Sequence, residues 1–427
     1  MKKVVLAYSG GLDTSVAVAW LKEQFGVEVV TLTVDLGGGS LRQGVEERAM
    51  SAGASRAYVV DARERFVTDF VWPHLQANAL YQGVYPLATA LARPLIAQLL
   101  VEVAAKEGAD AVAHGCTGKG NDQVRFDVAT HALNPGLEVV APMRVGMGLT
   151  RDQEIDYAAE RGIEIPITKQ SPYSIDVNLW GRSCETGVLE DPWVTPPDDA
   201  YEWTVAPSDA PDPVEVTIDF EGGVPVAIEG ERRSPVALVE KLHEIGGAHG
   251  VGRIDHVEDR LVGIKSREIY ETPAATILHE AHRALEGLTL TRDTLRFNRL
   301  VADELARLIY DGLWFSALSR DLRGYVASAQ RVVSGEVRVR LDHGQAVVVG
   351  RRSPLSLYDK ALATYDEGDA FDHAAAVGFI EIFGLPLRVE AARHGAVGRF
   401  HGAAWSWTDP LLEHLPTTVK DPEPAAV

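Results

Sequence analysis

Two short stretches hold the residue types from which chemistry is built. The first, AYSGGLDTS from Ala7 to Ser15, interrupts an apolar run with Gly10 and Gly11 and then with Asp13, Thr14 and Ser15. Glycines let the backbone turn sharply and approach a ligand with no Cβ in the way. The polar residues behind them fall where a helix begins, so free amide protons and the positive end of the helix dipole face the turn. Hydroxyls of Ser9, Thr14 and Ser15 add donors, and the set reads as an anion cradle whose usual occupant is phosphate. The bland alternative is a tight turn before a helix capped by Asp13 or Thr14. Neither G-x-x-x-x-G-K-[ST] nor G-x-G-x-x-G follows the strand, so this is some other phosphate loop.

The second stretch, HGCTGKGNDQVRF from His114 to Phe126, offers Thr117, Lys119, Asn121, Asp122 and Arg125. No buried core accepts such a set unpaired, which leaves a ligand site or a solvated turn. His114 suits either a satisfied histidine that fixes the loop or a proton-transfer group. Cys116 has no histidine partner in the immediate sequence and reads as a small packing residue.

The elements that must position these loops follow from periodicity. Up to about Pro166, short β-branched runs (VVLAY, VEVVTLTVD, RAYVVDA, DAVAHG, LEVVAP) alternate with longer amphipathic ones, including SVAVAWLKEQF and LARPLIAQLLVEVAAKEG. That pattern predicts parallel strands joined by helices in a doubly wound α/β sheet. Both loops then lie at carboxyl ends of strands, where open α/β sheets bind ligands if the strand order reverses between them. Gly108 supplies a helix stop. From about Ile167 the rhythm gives way to proline-rich loops, then to strands VEVTIDF and VPVAIEG, helices at PVALVEKLHEIGGAHG and from Ala274 towards Leu285, a long helix through Leu300 to Leu318, and a hairpin turning at Asp342 to Gln345. The expected division is 1–166 for a nucleotide-binding domain, 167–385 for a second α+β domain, and 386–427 for a C-terminal extension, with the tail after Pro410 frayed.

At 427 residues the chain is long enough for two domains. Acidic residues outnumber basic ones 61 to 41, a net charge of −20 that disfavours nucleic acid as a partner but leaves a small anion free to bind a local cluster of amides and arginines. The two cysteines, Cys116 and Cys184, form no C-x-x-C pair, so neither a zinc site nor a disulfide framework is expected and a reducing cytoplasm fits. No metal site, signal peptide or membrane span is expected.

The loop AYSGGLDTS resembles the pyrophosphate-binding loop of the ATP pyrophosphatase (PP-loop) superfamily, whose fold is of the adenine nucleotide alpha hydrolase-like type. Its spelling is similar to that of the argininosuccinate synthase family. The likeness extends to ARPLIA at Ala92 to Ala97, to HGCTGKGNDQVRF, to PYSIDVNLWGRSCETGVLEDPW at Pro172 to Trp193, and to GRIDHVEDRLVGIKSREIYETP at Gly252 to Pro273. The resemblance implies a ligase that joins L-citrulline to L-aspartate through a citrullyl-AMP intermediate, with ATP as substrate and Mg²⁺ carried on its phosphates. It implies a homotetramer with a C-terminal helical arm. It assigns Ala7, Tyr8, Ser9, Gly10, Gly11, Leu12, Asp13, Thr14, Ser15, Val34 and Gly115 to ATP, and Thr117, Asn121 and Asp122 to aspartate. It assigns Tyr85, Asn121, Arg125, Ser174, Ser183, Glu258 and Tyr270 to citrulline, with Thr89 beside them. Asp13, Asp122 and Arg125 would carry the chemistry, Asp13 by orienting the phosphate loop or a metal-bound water. An arginine that grips a carboxylate and an aspartate that accepts from an ammonium suit amino-acid substrates.

Two departures stand out. Ala90 replaces a serine expected to touch citrulline, and Val34-Asp35-Leu36-Gly37-Gly38-Gly39 replaces A-D-I-G-Q-G, which predicts a freer loop and slightly weaker adenine binding. Rival readings are a tRNA thiolation or nucleotide amidation enzyme, and a nucleotide-sensing protein without catalysis. The acidity and the lack of a basic stripe weigh against tRNA.

Overall fold

The five β-branched runs of the N-terminal part become parallel strands: β1 (Lys3–Ala7), β2 (Glu28–Asp35), β3 (Arg56–Asp61), β4 (Ala111–Ala113) and β5 (Glu138–Val140). The structure, a computed structural model, describes residues 1–41, 43–149, 151–163, 173–365 and 369–394. Strand order is β3-β2-β1-β4-β5, so the chain winds outward from β1 in one direction and then restarts at β4 on its other side. Val4, Val5 and Leu6 of β1 are fully buried because helices cover both faces, which is why that strand reads as continuous apolar sequence. β1 pairs with β4 in register from Val4↔Ala111 to Leu6↔Ala113. The turns after these two strands therefore open side by side at the switch point.

The helix Ala88–Glu107 lies against the sheet and ends at Gly108, whose φ of 60° is the left-handed stop its sequence predicts. Among the described residues it is the one helix long and apolar enough to cross a membrane. Its burial, with Leu91, Leu95 and Leu100 almost wholly inside, accounts for that apolarity as core packing.

The second half contains two antiparallel sheets. One is built from β6 (Ser174–Asn178), β7 (Gly181–Glu185), β11 (Arg253–Asp259) and β12 (Lys265–Glu271), in the order β11-β12-β7-β6. The other joins β8 (Val214–Glu221), β9 (Val224–Ile228), β10 (Glu231–Arg232), β13 (Gly335–Asp342) and β14 (Gln345–Arg352), in the order β10-β9-β8-β13-β14. The β13–β14 turn falls at His343 and Gly344, both with positive φ, as the hairpin expectation required.

Two expectations are corrected. The helix expected through Leu300 to Leu318 is two helices, Arg292–Tyr310 and Ala317–Ala329. The break is at Asp311 and Gly312, where φ is 79° and a Cβ would come within 2.7 Å of the Arg125 Cα. The glycine run after β2 is held, not free. The amide of Gly37 donates to Asp35 Oδ1 (2.9 Å), the amide of Leu179 donates to Leu36 O (2.8 Å), and a Cβ on Gly38 would meet Asn178 O at 2.6 Å.

Contacts divide the chain into a unit Met1–Tyr358 and a unit Asp359–Val427. The described part of the second unit contains the helices Lys360–Ala363, His373–Phe383 and Leu385–His394. Phe379, Ile380, Ile382, Phe383 and Leu387 on them are exposed. The 166/167 boundary and the tail after Pro410 lie outside the described residues.

Candidate active site

The phosphate loop has the geometry its spelling implied. Gly10 sits at φ 72°, and a Cβ there would press on Val45 Cγ2 at 3.0 Å. Gly11 precedes the helix Leu12–Phe25 in extended conformation, with no side chain capping the first turn. The first-turn amides are thus left for an anion. Ser9 Oγ and Thr14 Oγ1 lie 3.2 Å apart, and Ser9 Oγ accepts from the Gly11 amide (3.3 Å). Ser15 is not part of this surface: its buried hydroxyl pairs with Tyr8 Oη at 2.8 Å.

A cavity of about 1010 Å³ opens over the switch point. Ala7, Tyr8, Ser9, Gly11, Leu12, Asp13, Thr14, Val34 and Gly115 line it, while Gly10 and Ser15 do not. His114 holds the second loop: its Nδ1 accepts from the Cys116 amide (3.2 Å), and its Nε2 is 2.9 Å from Asp127 Oδ1. That arrangement puts the proton on Nε2 and favours the loop-fixing reading over proton transfer. Cys116 also faces the cavity, and burial, reinforced by the charge of Asp122, pushes its thiol well up, as befits a packing residue.

A second cavity, of about 310 Å³, adjoins the first. Tyr85, Thr89, Asn121, Asp122, Arg125, Ser174, Ser183, Glu258 and Tyr270 all line it, so residues from both halves of the sequence converge there. Thr117 stands apart, exposed in the loop, and the buried Ala90 lines neither cavity. Arg93, Ser174, Ile175 and Asp176 belong to both linings and form a common border.

The second cavity is wired by charge. Asp122 accepts from Arg93 Nη2 (2.7 Å) and Arg125 Nη1 (2.9 Å), and Arg93 also bonds Asp176. Burial alone would raise the Asp122 carboxyl; the two guanidiniums reverse that and hold its pKa at about 2. Arg125 Nε donates to the Tyr310 carbonyl (2.8 Å), and its guanidinium lies over the Tyr310 ring, 4.8 Å from the centroid. Asn121 donates through Nδ2 to Tyr310 Oη (2.8 Å) and accepts the Leu261 amide (2.8 Å).

Glu258, only 1% exposed, accepts from Tyr270 Oη (2.7 Å) and from Tyr310 Oη. Among the described residues it forms no ion pair. A buried carboxyl bonded to two phenols and held in no ion pair is suited to a ligand that brings an ammonium group. The Tyr85 ring stacks on Tyr270 at 4.1 Å, and its hydroxyl accepts the Thr89 amide (3.0 Å).

Sequence reasoning missed Arg93, Asp176, Glu185, Arg260, Glu268 and Tyr310 as site residues. The first five lie inside the stretches that carry the resemblance, and a role for each was there to be asked about. Tyr310, the last residue of its helix, lies in none of them and joins the site through its bonds to Asn121, Arg125 and Glu258.

A switch-point crevice with an uncapped glycine loop is the architecture of a nucleotide-binding α/β domain, and residues 3–164 match the Arginosuccinate synthase N-terminal HUP domain. Residues 173–390 match the Arginosuccinate synthase C-terminal domain. The argininosuccinate synthase of Dehalococcoides mccartyi is 56% identical over 391 residues, 91% of this chain and 96% of its own. That of Symbiobacterium thermophilum is 58% identical over 393 residues, covering 92% and 98% respectively. The chain belongs to the argininosuccinate synthase family.

Proposed function

We propose that the chain ligates L-citrulline and L-aspartate at the expense of ATP, giving argininosuccinate, AMP and pyrophosphate in arginine biosynthesis. The observation that carries this reading is the common border of the two cavities. A nucleotide held by the loop Ala7 to Ser15 and an amino acid held by Tyr85, Arg125, Ser174, Ser183, Glu258 and Tyr270 meet at Arg93, Ser174 and Asp176.

The chemistry asks for such a meeting. A ureido oxygen is a poor leaving group until it attacks the α-phosphorus of ATP and expels pyrophosphate. The amine of aspartate then attacks the activated carbon and releases AMP. No covalent intermediate on the protein is needed, so its contribution is alignment and charge stabilisation. The first-turn amides take the outer phosphates, Val34 meets adenine through its backbone, and Gly115 flanks the nucleotide. Arg125 holds the citrulline carboxylate and Glu258 its ammonium. Asp122 and Asn121, with Thr117 from the exposed loop, receive aspartate.

No group of three or more His, Cys, Asp or Glu residues that could hold a metal exists among the described residues. Asp13 with the Ser9 and Thr14 hydroxyls is a donor set that suits Mg²⁺ brought in on phosphate oxygens, where it would neutralise the charge of the departing pyrophosphate.

We assign the protein to the cytoplasm and to a homotetramer, the second point supported by the exposed apolar side chains of the helices His373–Phe383 and Leu385–His394. The domain limits 1–166, 167–385 and 386–427 belong to the same proposal. Release of pyrophosphate that requires ATP, citrulline and aspartate together tests the function. Pyrophosphate formed on tRNA, or from ATP and ammonia without citrulline, would replace this reading with one of its rivals.

A further inference from the structure

The loop that runs between the two cavities carries a cation to which the proposed site gives no task. His114, Gly115 and Cys116 line the first cavity, and Gly120, Asn121 and Asp122 line the second, so the span Thr117 to Lys119 crosses from one to the other. Both ends of the crossing are held. His114 accepts the Cys116 amide, and Asn121 bonds Tyr310 and the Leu261 amide. Between them the Gly120 amide donates to Thr117 O (3.3 Å), Gln123 Nε2 donates to Gly118 O (2.5 Å), and Thr117, Gly118 and Lys119 are exposed.

The neighbouring cations are all taken. Arg93 bonds Asp122 and Asp176, Arg125 bonds Asp122, Arg144 pairs with Asp127, and Arg260 bonds Glu185. The Lys119 ammonium enters no hydrogen bond or ion pair among the described residues. Aspartate, by contrast, brings two carboxylates and one ammonium. The groups proposed to receive it, Thr117, Asn121 and Asp122, offer a hydroxyl, an amide and a carboxylate, which suit the ammonium and leave both carboxylates without a cation. In a chain of net charge −20, beside a bound triphosphate, a dicarboxylate with no local cation would be repelled. Lys119 stands midway between Thr117 and Asn121 and can supply the missing charge.

The flanking glycines give that charge freedom to move. Among the described residues a Cβ on Gly118 would meet nothing within 4 Å, and one on Gly120 nothing closer than 3.8 Å. Neither glycine has a left-handed φ, so the present conformation asks for glycine at neither position. Their use is the backbone freedom they give Lys119 while the anchors at Cys116 and Asn121 stay in place.

Resting on the citrulline–aspartate reading above, we propose that Lys119 is an aspartate-binding residue, carried on the Gly118 and Gly120 hinges over the rim of the second cavity to pair its ammonium with a carboxylate of aspartate. The pairing serves the second step of the reaction and has no part in the first.

The test separates the two steps. In a single turnover with the protein in excess over ATP, citrulline present and aspartate absent, acid quenching counts the pyrophosphate made in the first step, bound or free. Lys119→Met, which keeps the length of the side chain and removes its charge, should leave that rate within about 2-fold of the parent's. In steady state the same variant should raise the aspartate KM roughly 10-fold or more, with the KM values for ATP and citrulline little changed. Lys119→Arg should recover most of the loss, and the parent's aspartate KM should climb more steeply with added salt than that of the Met variant. An unchanged aspartate KM in the Met variant would overturn the proposal. So would a first step slowed as much as the whole reaction, which would put Lys119 on the phosphates. Absence of citrulline-dependent pyrophosphate in the parent's single turnover would instead overturn the functional reading on which the proposal rests.

Discussion

Removing the hydroxyl of Tyr310 is a sharp probe of the site, because that one oxygen joins Asn121 and Glu258, two groups proposed to hold substrate, from distant parts of the chain. Tyr310→Phe keeps the ring, its stack on Tyr81 at 3.6 Å and its contact with the Arg125 guanidinium. It leaves Asn121 Nδ2 without its acceptor and takes one of two phenolic donors from Glu258. An orphaned buried amide donor costs about 1–3 kcal/mol, and a lost hydrogen bond to a charged group about 1.5–3 kcal/mol. Water admitted from the adjoining 310 Å³ cavity recovers part of this, so a net loss of about 2–4 kcal/mol in urea unfolding is expected. Steady-state pyrophosphate release should show the citrulline KM raised about 10-fold or more, with the ATP KM little changed, since Tyr310 lines neither the phosphate loop nor its cavity. A variant less than about 1 kcal/mol destabilised with an unaltered citrulline KM would refute the bridge.

Further substitutions probe other parts of the account. Asp122 should support stability at neutral pH and lose that support on acidification. Its folded pKa of about 2 lies below the usual 3.8, so between these values the unfolded chain binds the proton more readily and stability falls as pH falls. The shift is worth about 2–3 kcal/mol, and Asp122→Asn should remove that part of the acid slope in pH-dependent unfolding. Gly312→Ala should destabilise by at least about 1 kcal/mol, from the left-handed φ and the approach to Arg125, and should raise the citrulline KM; an unchanged melting temperature would contradict it. Asp13→Asn should lower turnover more than it weakens citrulline binding, and unchanged turnover would remove Asp13 from the phosphate chemistry.

The nucleotide half was legible because its signals are local. Each strand of the parallel sheet is an apolar run, and the phosphate loop is a contiguous phrase whose glycines and hydroxyls state their own geometry. The other half was harder to read. Strands such as GRSCE and KSREIYE turn charged groups inward, Arg182 and Glu271 pairing with each other and Glu185 and Glu268 lining the cavity, so the alternation that marks an ordinary half-buried strand is missing, and the four-stranded sheet they belong to went unforeseen. The long helix was read past its end because leucines continue at helical spacing beyond Tyr310. The termination is a left-handed glycine stop at Gly312, with the Leu313 amide donating to the Leu308 carbonyl (2.8 Å), a local signal of the kind read at Gly108 and passed over here; the approach to Arg125, nearly two hundred residues away, adds only that no side chain fits at this position. The glycine run after β2 was read as loose because Asn178 and Leu179, which pin it, arrive from a later strand.

The claim on which the rest depends is that the border shared by the two cavities brings the ureido oxygen of citrulline to the α-phosphorus of ATP. Citrulline labelled with ¹⁸O in its ureido group, turned over with ATP and aspartate, tests it directly by mass spectrometry of the products. The account expects the label in the phosphate of AMP and none in pyrophosphate. Label retained in the ligated product, or ADP and orthophosphate in place of AMP and pyrophosphate, would contradict it.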